Sequence, residues 1–292
     1  MNICLFGKKV FSFFYKKCVK YFQVRKFNKI NLNSNGKLSE GHVASDIVVS
    51  LTTHGERIAS VYITIESILS GKLKPGRLIL WLDSEDAFNN LSPELVRLKR
   101  RGVEIKLSKN FGPHTKYYPY IIENNFSEYL VTADDDIIYP AYWLMDLYEE
   151  AVSSSSNNII CHRAHNILFD NDKKFLPYNS WSACTSTDAS IGFFATGVSG
   201  VIYPKAFQQC LFAAGDVFLN VCPKADDVWL HYISLREGFK IKQLTRKSVH
   251  FMTIDNTQHL GLMNSNVDMS QNDIQINKTY TRNDMLKVYQ NK

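Results

Sequence analysis

Short apolar runs recur along the body of the chain, and stretches with helical spacing separate them. Ile47-Val48-Val49-Ser50-Leu51 is a β-branched run too short for a helix, which predicts a buried strand. Val61, Ile65, Ile68 and Leu69 then recur at the helical period, and Gly71 stops that helix. Leu78-Ile79-Leu80-Trp81-Leu82 predicts a second buried strand. Ser92-Pro93-Glu94 reads as an N-cap, a first-turn proline and an acidic first turn, opening a helix that closes at Gly102. Val103, Ile105 and Leu107 alternate with charged residues, as in a strand nearer an edge, and Tyr129 to Ala133 is a fourth strand. Trp229, Tyr232 and Ile233 fit one helix face closed by Gly238, and Ile241 to Leu244 is a further β-run. Strands alternating with helices predict an α/β fold with a mostly parallel central sheet flanked by helices. Ligands of such sheets bind beyond the carboxyl ends of the strands.

The 292 residues suffice for a large α/β body, and 45% hydrophobic with 21% charged residues is ordinary for a globular chain. No apolar run is long enough to span a bilayer, and no signal peptide is evident. The net charge of +6 divides unevenly. Residues 1–30 carry eight Lys or Arg and no acid, leaving 26 basic and 28 acidic residues in the remainder. The body is therefore not basic, which argues against a nucleic-acid partner. Aromatic residues interleave the N-terminal cations, from Phe6 to Phe27. As a helix, residues 1–30 present aromatics and lysines suited to an anionic membrane surface. The alternative is a helix packed on the body or on a partner subunit. Residues 31–45 are polar and turn-rich, and read as a linker to a body spanning 46–292. The six cysteines form no Cys-x-x-Cys pair, which suits reduced cytosolic thiols and disfavours zinc.

Asp134-Asp135-Asp136 directly follows the fourth strand and precedes Ile137-Ile138-Tyr139-Pro140. Three adjacent carboxylates repel one another, and desolvating them is costly. A hard divalent cation offsets that repulsion and bridges carboxylates to a diphosphate. On an extended backbone Asp134 and Asp136 point one way and Asp135 the other. Asp134 and Asp136 are thus candidate ligands of Mn2+ or Mg2+, with Asp135 facing a ribose or sugar. The bland alternative is a solvated acidic turn.

In this setting the run Val131-Thr132-Ala133-Asp134-Asp135-Asp136-Ile137-Ile138-Tyr139-Pro140 resembles the Asp-x-Asp motif of GT-A glycosyltransferases, in particular the family 2-like enzymes of bacterial surface polysaccharides. The resemblance extends in pieces over residues 46–260. It implies a Rossmann-like GT-A fold and hexosyl transfer from a nucleotide-sugar donor to a saccharide acceptor, dependent on Mn2+ or Mg2+. By that likeness Thr52, Thr53 and Arg57 are candidate donor contacts, unless they cap the helix near Ser60. Asp83 takes the place of a base-binding residue, which a turn aspartate explains nearly as well. His114 is a candidate hydrogen-bond partner of the donor, and Lys116 a candidate to offset diphosphate charge. Asp226 and Asp227 begin a helix whose dipole favours their ionised form. The likeness makes Asp227 the first candidate for general base and Asp226 the second. His250, with His259 as rival, is a candidate third metal ligand. The Gly192–Gly200 stretch leaves room for an acceptor that Trp181 can stack on, or is a packed strand with a bulge. Asn264, Asn272 and Asp273 lie in a polar tail suited to closing over the donor.

The expected chemistry is inverting transfer to an acceptor, lipid-linked by inference from the N-terminus, on the cytoplasmic face of the cell membrane. The competing readings are a sugar nucleotidyltransferase and a non-catalytic carbohydrate-binding protein with a GT-A-like body.

Overall fold

The computed structural model describes residues 3–154, 158–254 and 271–292, with side chains of the first helix described from residue 17 onward. That helix, α1, covers Ile3–Asn33. Its C-terminal part lies against the body: Phe27 and Asn31 are buried, and Tyr62 donates to Asn28 Oδ1 at 2.7 Å. Asn31 donates to Glu66 Oε1 at 2.9 Å and accepts from Arg97 Nε at 2.8 Å. The packing alternative therefore holds for this end of the helix, while Tyr21 and Phe22 remain exposed. The segment expected as a linker is tied to the body as well. Leu38 is buried, its N–H donates to Arg101 O at 2.8 Å, and strand β1 (Val43–Thr53) begins before residue 45. Among the described residues no helix is long and apolar enough to cross a membrane.

Strand β1 is flanked by β2 (Lys74–Leu82) and β4 (Tyr129–Thr132), with β3 (Glu104–Leu107) outside β2 at the edge. Along β1, Ile47, Val49 and Leu51 enter one core and Val48 the other, the period of two that an extended backbone imposes. Both faces of the sheet are covered, which is why these strands read as continuous apolar runs. Helices α2 (Val61–Leu69), α4 (Pro93–Arg100) and α6 (Trp143–Ser153) contribute to one core; between the first two lies α3 (Glu85–Asn89). Helices α5 (Tyr118–Ile122), α7 (Lys205–Ala214), α8 (Phe218–Val221) and α9 (Asp226–Glu237) contribute to the other. As predicted, Ser92 caps α4 by accepting from Leu95 N–H at 3.4 Å, with proline in its first turn.

The sheet has eight strands in the order β3-β2-β1-β4-β11-β6-β12-β9. Here β6 is Asn158–Cys161, β9 Ala189–Ser190, β11 Val201–Pro204 and β12 Lys240–Gln243. The strands run parallel except β11 and β9, which are antiparallel to their neighbours. A smaller sheet joins β7 (Ala164–Asn166), β8 (Ser182–Ala183) and β10 (Phe193–Ala195). A short pair joins β5 (Ile137–Ile138) to β13 (Met252–Thr253). The chain ends in α10 (Gln271–Thr279) and α11 (Arg282–Asn291).

Three consequences of this topology build the site. β1, β2 and β4 are parallel, so Thr53, Asp83 and Asp134 leave the sheet at one edge. β11 runs back along β4 with Val201 opposite Thr132, so the turn before β11 meets that edge. α9 leads into β12, parallel to β6, so its N-terminus lies at the same edge.

Candidate active site

The three aspartates after β4 do not share one environment. Asp135 points into the protein, not toward a ligand as expected. It is 4% exposed, accepts from Thr53 Oγ1 at 2.7 Å and pairs with Arg57 Nη1 at 2.8 Å. Its backbone carbonyl accepts from Thr64 Oγ1 of α2 at 2.9 Å. Asp134 and Asp136 keep 21% and 14% of their side-chain surfaces exposed. Asp134 N–H donates to the buried Tyr139 hydroxyl at 2.9 Å, and Asp136 O accepts from Ile254 N at 2.7 Å. Burial and the neighbouring Asp134 push the Asp136 carboxyl up to about 6, against the lowering effect of Arg57.

Thr53 and Arg57 are thus committed to holding the acidic loop. Thr52 donates to Trp81 O at 3.2 Å and is only partly exposed. None of the three caps α2, whose N-cap Ser60 makes no side-chain capping bond. Asp83 follows β2, two strand spacings or about 10 Å from β4, and accepts from Asn110 at 2.8 Å.

Lys116 joins the two acidic regions. It ends a 3-10 turn, Gly112–Lys116, and its ammonium lies 3.0 Å from Asp134 Oδ1 and 3.1 Å from Asp226 Oδ2. The second contact is ionic, since Asp226 Oδ2 has no hydrogen-bond partner. Burial alone lowers a lysine, but Asp134, Asp226 and Asp227 together hold Lys116 well above its usual range. The repulsion within the acidic run is therefore offset from inside the protein by Lys116 and Arg57.

Asp226 and Asp227 form the first turn of α9, yet the helix dipole does not decide the state of Asp227. Burial and the adjacent Asp226 push Asp227 up to about 8, outweighing Lys116 and the N–H bond from Gly197. Asp227 keeps some surface accessible while protein surrounds it closely, and a water-sized cavity lies beside it, lined in part by Tyr203, Leu230 and His231. Gly197 N–H donates to Asp227 Oδ1 at 2.9 Å. A Cβ at position 197 would lie 3.1 Å from that oxygen and 3.3 Å from Lys116 Nζ. The turn is pinned further on: Trp143 Nε1 donates to Ser199 O at 2.8 Å, and Ser199 and Gly200 both have positive φ.

Three expected contacts fall elsewhere. His114 is buried, stacked on Phe218 at 4.0 Å and bonded to the Tyr117 hydroxyl and Cys222 O, and burial lowers it to about 4. It positions the Lys116 turn from within. Trp181 is buried against Phe175, Tyr178 and Phe194 and donates to Leu176 O, so it offers no stacking face. His250 is exposed and lies near Arg163 and His165, not on the acidic loop. His259 and Asn264 lie outside the described residues, whereas Asp273 accepts from Tyr178 N–H at 2.7 Å.

Among the described residues no three His, Cys, Asp or Glu side chains converge as a metal cage. Asp134 and Asp136 nevertheless fit the sparser kind of site. Both are hard oxygen donors with residual exposure, and burial with the like charge of Asp134 pushes Asp136 toward its neutral form. Magnesium-like ions commonly take only one or two carboxylates, with water and substrate phosphates completing the shell. Lys116 was read from sequence as a neighbour of phosphates, but nothing local announced its bond to Asp226. Gly197, Thr64, Tyr139 and Arg163 were missed, because only tertiary structure brings them to this edge.

No protein-family profile matches the chain, and no curated protein matches it. Solved structures do resemble it. The mannosyltransferase PcManGT from Pyrobaculum calidifontis, in complex with GDP-Man and Mn2+, is 10% identical with a TM-score of 0.52, over 90% of this chain and 71% of that one. GalNAc-T7 with UDP, GalNAc and Mn2+ is 12% identical with a TM-score of 0.46, over 73% of this chain and 44% of that one. The 4-diphosphocytidyl-2C-methyl-D-erythritol synthase from Anaerococcus prevotii is 13% identical with a TM-score of 0.46, over 79% of this chain and 96% of that one. At these identities the likeness concerns architecture alone: the chain has a GT-A-like α/β fold, with a large, mostly parallel sheet flanked by helices.

Proposed function

We propose that this protein is a glycosyltransferase that moves a hexosyl group from a nucleotide-diphosphate sugar to a saccharide acceptor. One observation carries the reading: Lys116 brings the acidic loop after β4 and the acidic pair of α9 together at the carboxyl edge of the parallel strands. That edge is where open α/β sheets bind ligands. Donor-binding, metal-binding and proton-accepting groups then share one edge of the sheet.

In this reading Asp134 and Asp136 hold Mn2+ or Mg2+, which when bound supplies positive charge against the donor diphosphate. Lys116, held against Asp134 and Asp226, adds positive charge at the same edge. Arg57 and Thr53 keep Asp135 turned inward, so its neighbours face the cleft. Thr52 and Asp83 line the donor end of the edge. Asp227 takes the proton of the acceptor hydroxyl, the acceptor oxygen bonds to the anomeric carbon, and the bond from that carbon to the diphosphate oxygen breaks. A carboxylate with a raised pKa is the stronger base for this transfer. The step is inverting, which anomeric NMR of the product tests. The basic, aromatic α1 supports a membrane-surface location at the cytoplasmic face and a lipid-linked acceptor. Sedimentation with anionic liposomes that is unchanged by deleting residues 1–22 would refute that part.

The deciding experiment is a screen of UDP-, GDP- and CMP-sugars with Mn2+, scored for free nucleotide and for pyrophosphate. Nucleotide released from one donor class, and lost in Asp136→Ala, is the expected result. Pyrophosphate release instead, or full turnover in EDTA, would defeat the reading.

A further inference from the structure

Arg163 stands apart from the other arginines that the fold withdraws from solvent. Arg57, Arg77, Arg97 and Arg101 each face a carboxylate oxygen at 2.6 to 2.9 Å. Arg163 is also half-buried, but among the described residues no carboxylate lies within ion-pair distance of it. Its hydrogen-bond partner is a neutral hydroxyl: Nη1 donates to Thr196 Oγ1 at 2.8 Å, and the Tyr178 hydroxyl lies near enough to feel its charge. A guanidinium that has lost water to neutral hydroxyls is only partly compensated, and an arriving anion completes it.

The fold sets this charge beside the proton-accepting pair. Thr196 N–H donates to Arg163 O at 3.1 Å, and the next residue is Gly197, whose N–H holds Asp227. On the other side Val249 N–H donates to His162 O at 3.2 Å, which draws His250 alongside Arg163. His165 is two residues on along the extended chain, so it shares a face with Arg163. The Tyr178 ring packs on His165 with centroids 5.7 Å apart. His165 Nδ1 is buried and has no hydrogen-bond partner. Burial and the charge of Arg163 lower His165 to about 4, and the same two causes lower His250.

We propose that Arg163, with Tyr178, Thr196, His165 and His250, forms an anion-binding subsite on the acceptor side of the cleft, and that the acceptor is a sugar carrying an anionic group near the hydroxyl that reacts. The acceptor part rests on the glycosyltransferase reading; the anion site does not. Donor phosphates have their own partners at Lys116 and the acidic loop. Thr196 and Gly197 set the subsite beside Asp227, the group that would take the proton of an acceptor hydroxyl.

The test follows the imidazole resonances of His165 and His250 by NMR in the full chain while glucuronate, inorganic phosphate or glucose is added. Glucuronate and phosphate shift both resonances, and glucose needs about tenfold or more higher concentration, as expected for loss of a charge-assisted bond. Arg163→Gln abolishes the anion-induced shifts and keeps the response to the nucleoside diphosphate chosen by the donor screen. Arg163→Lys, which keeps the charge, retains part of the anion response. Shifts that survive in R163Q, an equal response to glucose, or binding of phosphate without glucuronate would overturn the proposal. So would an R163Q protein with native Tm that no longer binds the nucleotide, since Arg163 would then serve the donor. No readout here needs turnover, so failure of the donor screen is told apart from failure of this subsite.

Discussion

The acidic loop after β4 and the acidic pair opening α9 are both clusters of adjacent aspartates, yet the protein treats them differently. In the loop, one carboxylate is turned inward onto Arg57 and Thr53, and two are left partly exposed. In the pair, both are drawn inward, with Gly197 N–H and Lys116 as their partners. Arg57 and Lys116 lie against the loop carboxylates, and burial with the adjacent Asp134 pushes Asp136 up to about 6. Asp227 of the pair is pushed up further, because burial and the adjacent Asp226 exceed what Lys116 supplies. A cluster with two partly exposed carboxylates suits a metal and phosphates. A cluster whose carboxyl sits near neutrality suits proton transfer.

The largest expected effect breaks the pair. Asp227→Asn should lower kcat by about 10^2- to 10^4-fold, the usual range for removing a general base, while donor binding measured by calorimetry stays within about twofold. The wild type should show kcat/KM rising with pH up to about 8, because the base works only when deprotonated. Stability carries the opposite sign. The folded Asp227 binds its proton more tightly than the unfolded chain does, so stability falls as pH rises from 3.8 toward about 8. Asp227→Asn removes that slope and should raise Tm at pH 8. A flat rate profile between pH 6 and 9 would assign the base elsewhere, and a larger loss in Asp226→Asn would exchange the two roles.

How far these contrasts were readable from sequence depends on distance along the chain. Buried parallel strands were legible as apolar runs, since both of their faces are covered. β11 was not, because its four residues follow a glycine-rich turn whose direction only packing on β4 decides. Asp135 is turned inward while its neighbours stay partly exposed, as expected, but on a turn and not on the extended backbone that alternation assumed, and it is held there by Thr53 and Arg57, some 80 residues earlier. The dipole argument was sound locally, but at Asp227 burial and the adjacent carboxylate outweigh it, which no local pattern records. His250 shows the same limit: a single histidine beyond a strand has no sequence signal for the neighbour it meets.

Next in size is the link between the clusters. Lys116→Met leaves Asp134, Asp226 and Asp227 without their shared cation, and breaking a buried pair in this way costs about 3–5 kcal/mol. The sharper readout is the rate profile. Lys116 lowers Asp227, so its removal should move the pH limb above about 8. If the limb stays in place, the two clusters are electrostatically independent and the comparison above fails.

The smallest effect probes geometry without touching charge. Gly197 lies between Asp227 and Lys116, and its φ is not in the left-handed region, so alanine meets no backbone strain there. Its Cβ would approach Asp227 Oδ1 to 3.1 Å and Lys116 Nζ to 3.3 Å, which obliges each to move by a few tenths of an ångström. Displacements of that size at a reacting group cost rate more than stability. We expect Gly197→Ala to lower kcat about tenfold, with Tm changed by no more than about 4 °C and the pH limb unmoved, because the charges remain. Wild-type kcat in this variant would show that Asp227 and Lys116 are not held in register by the turn, and that the meeting of the two clusters is looser than their distances imply.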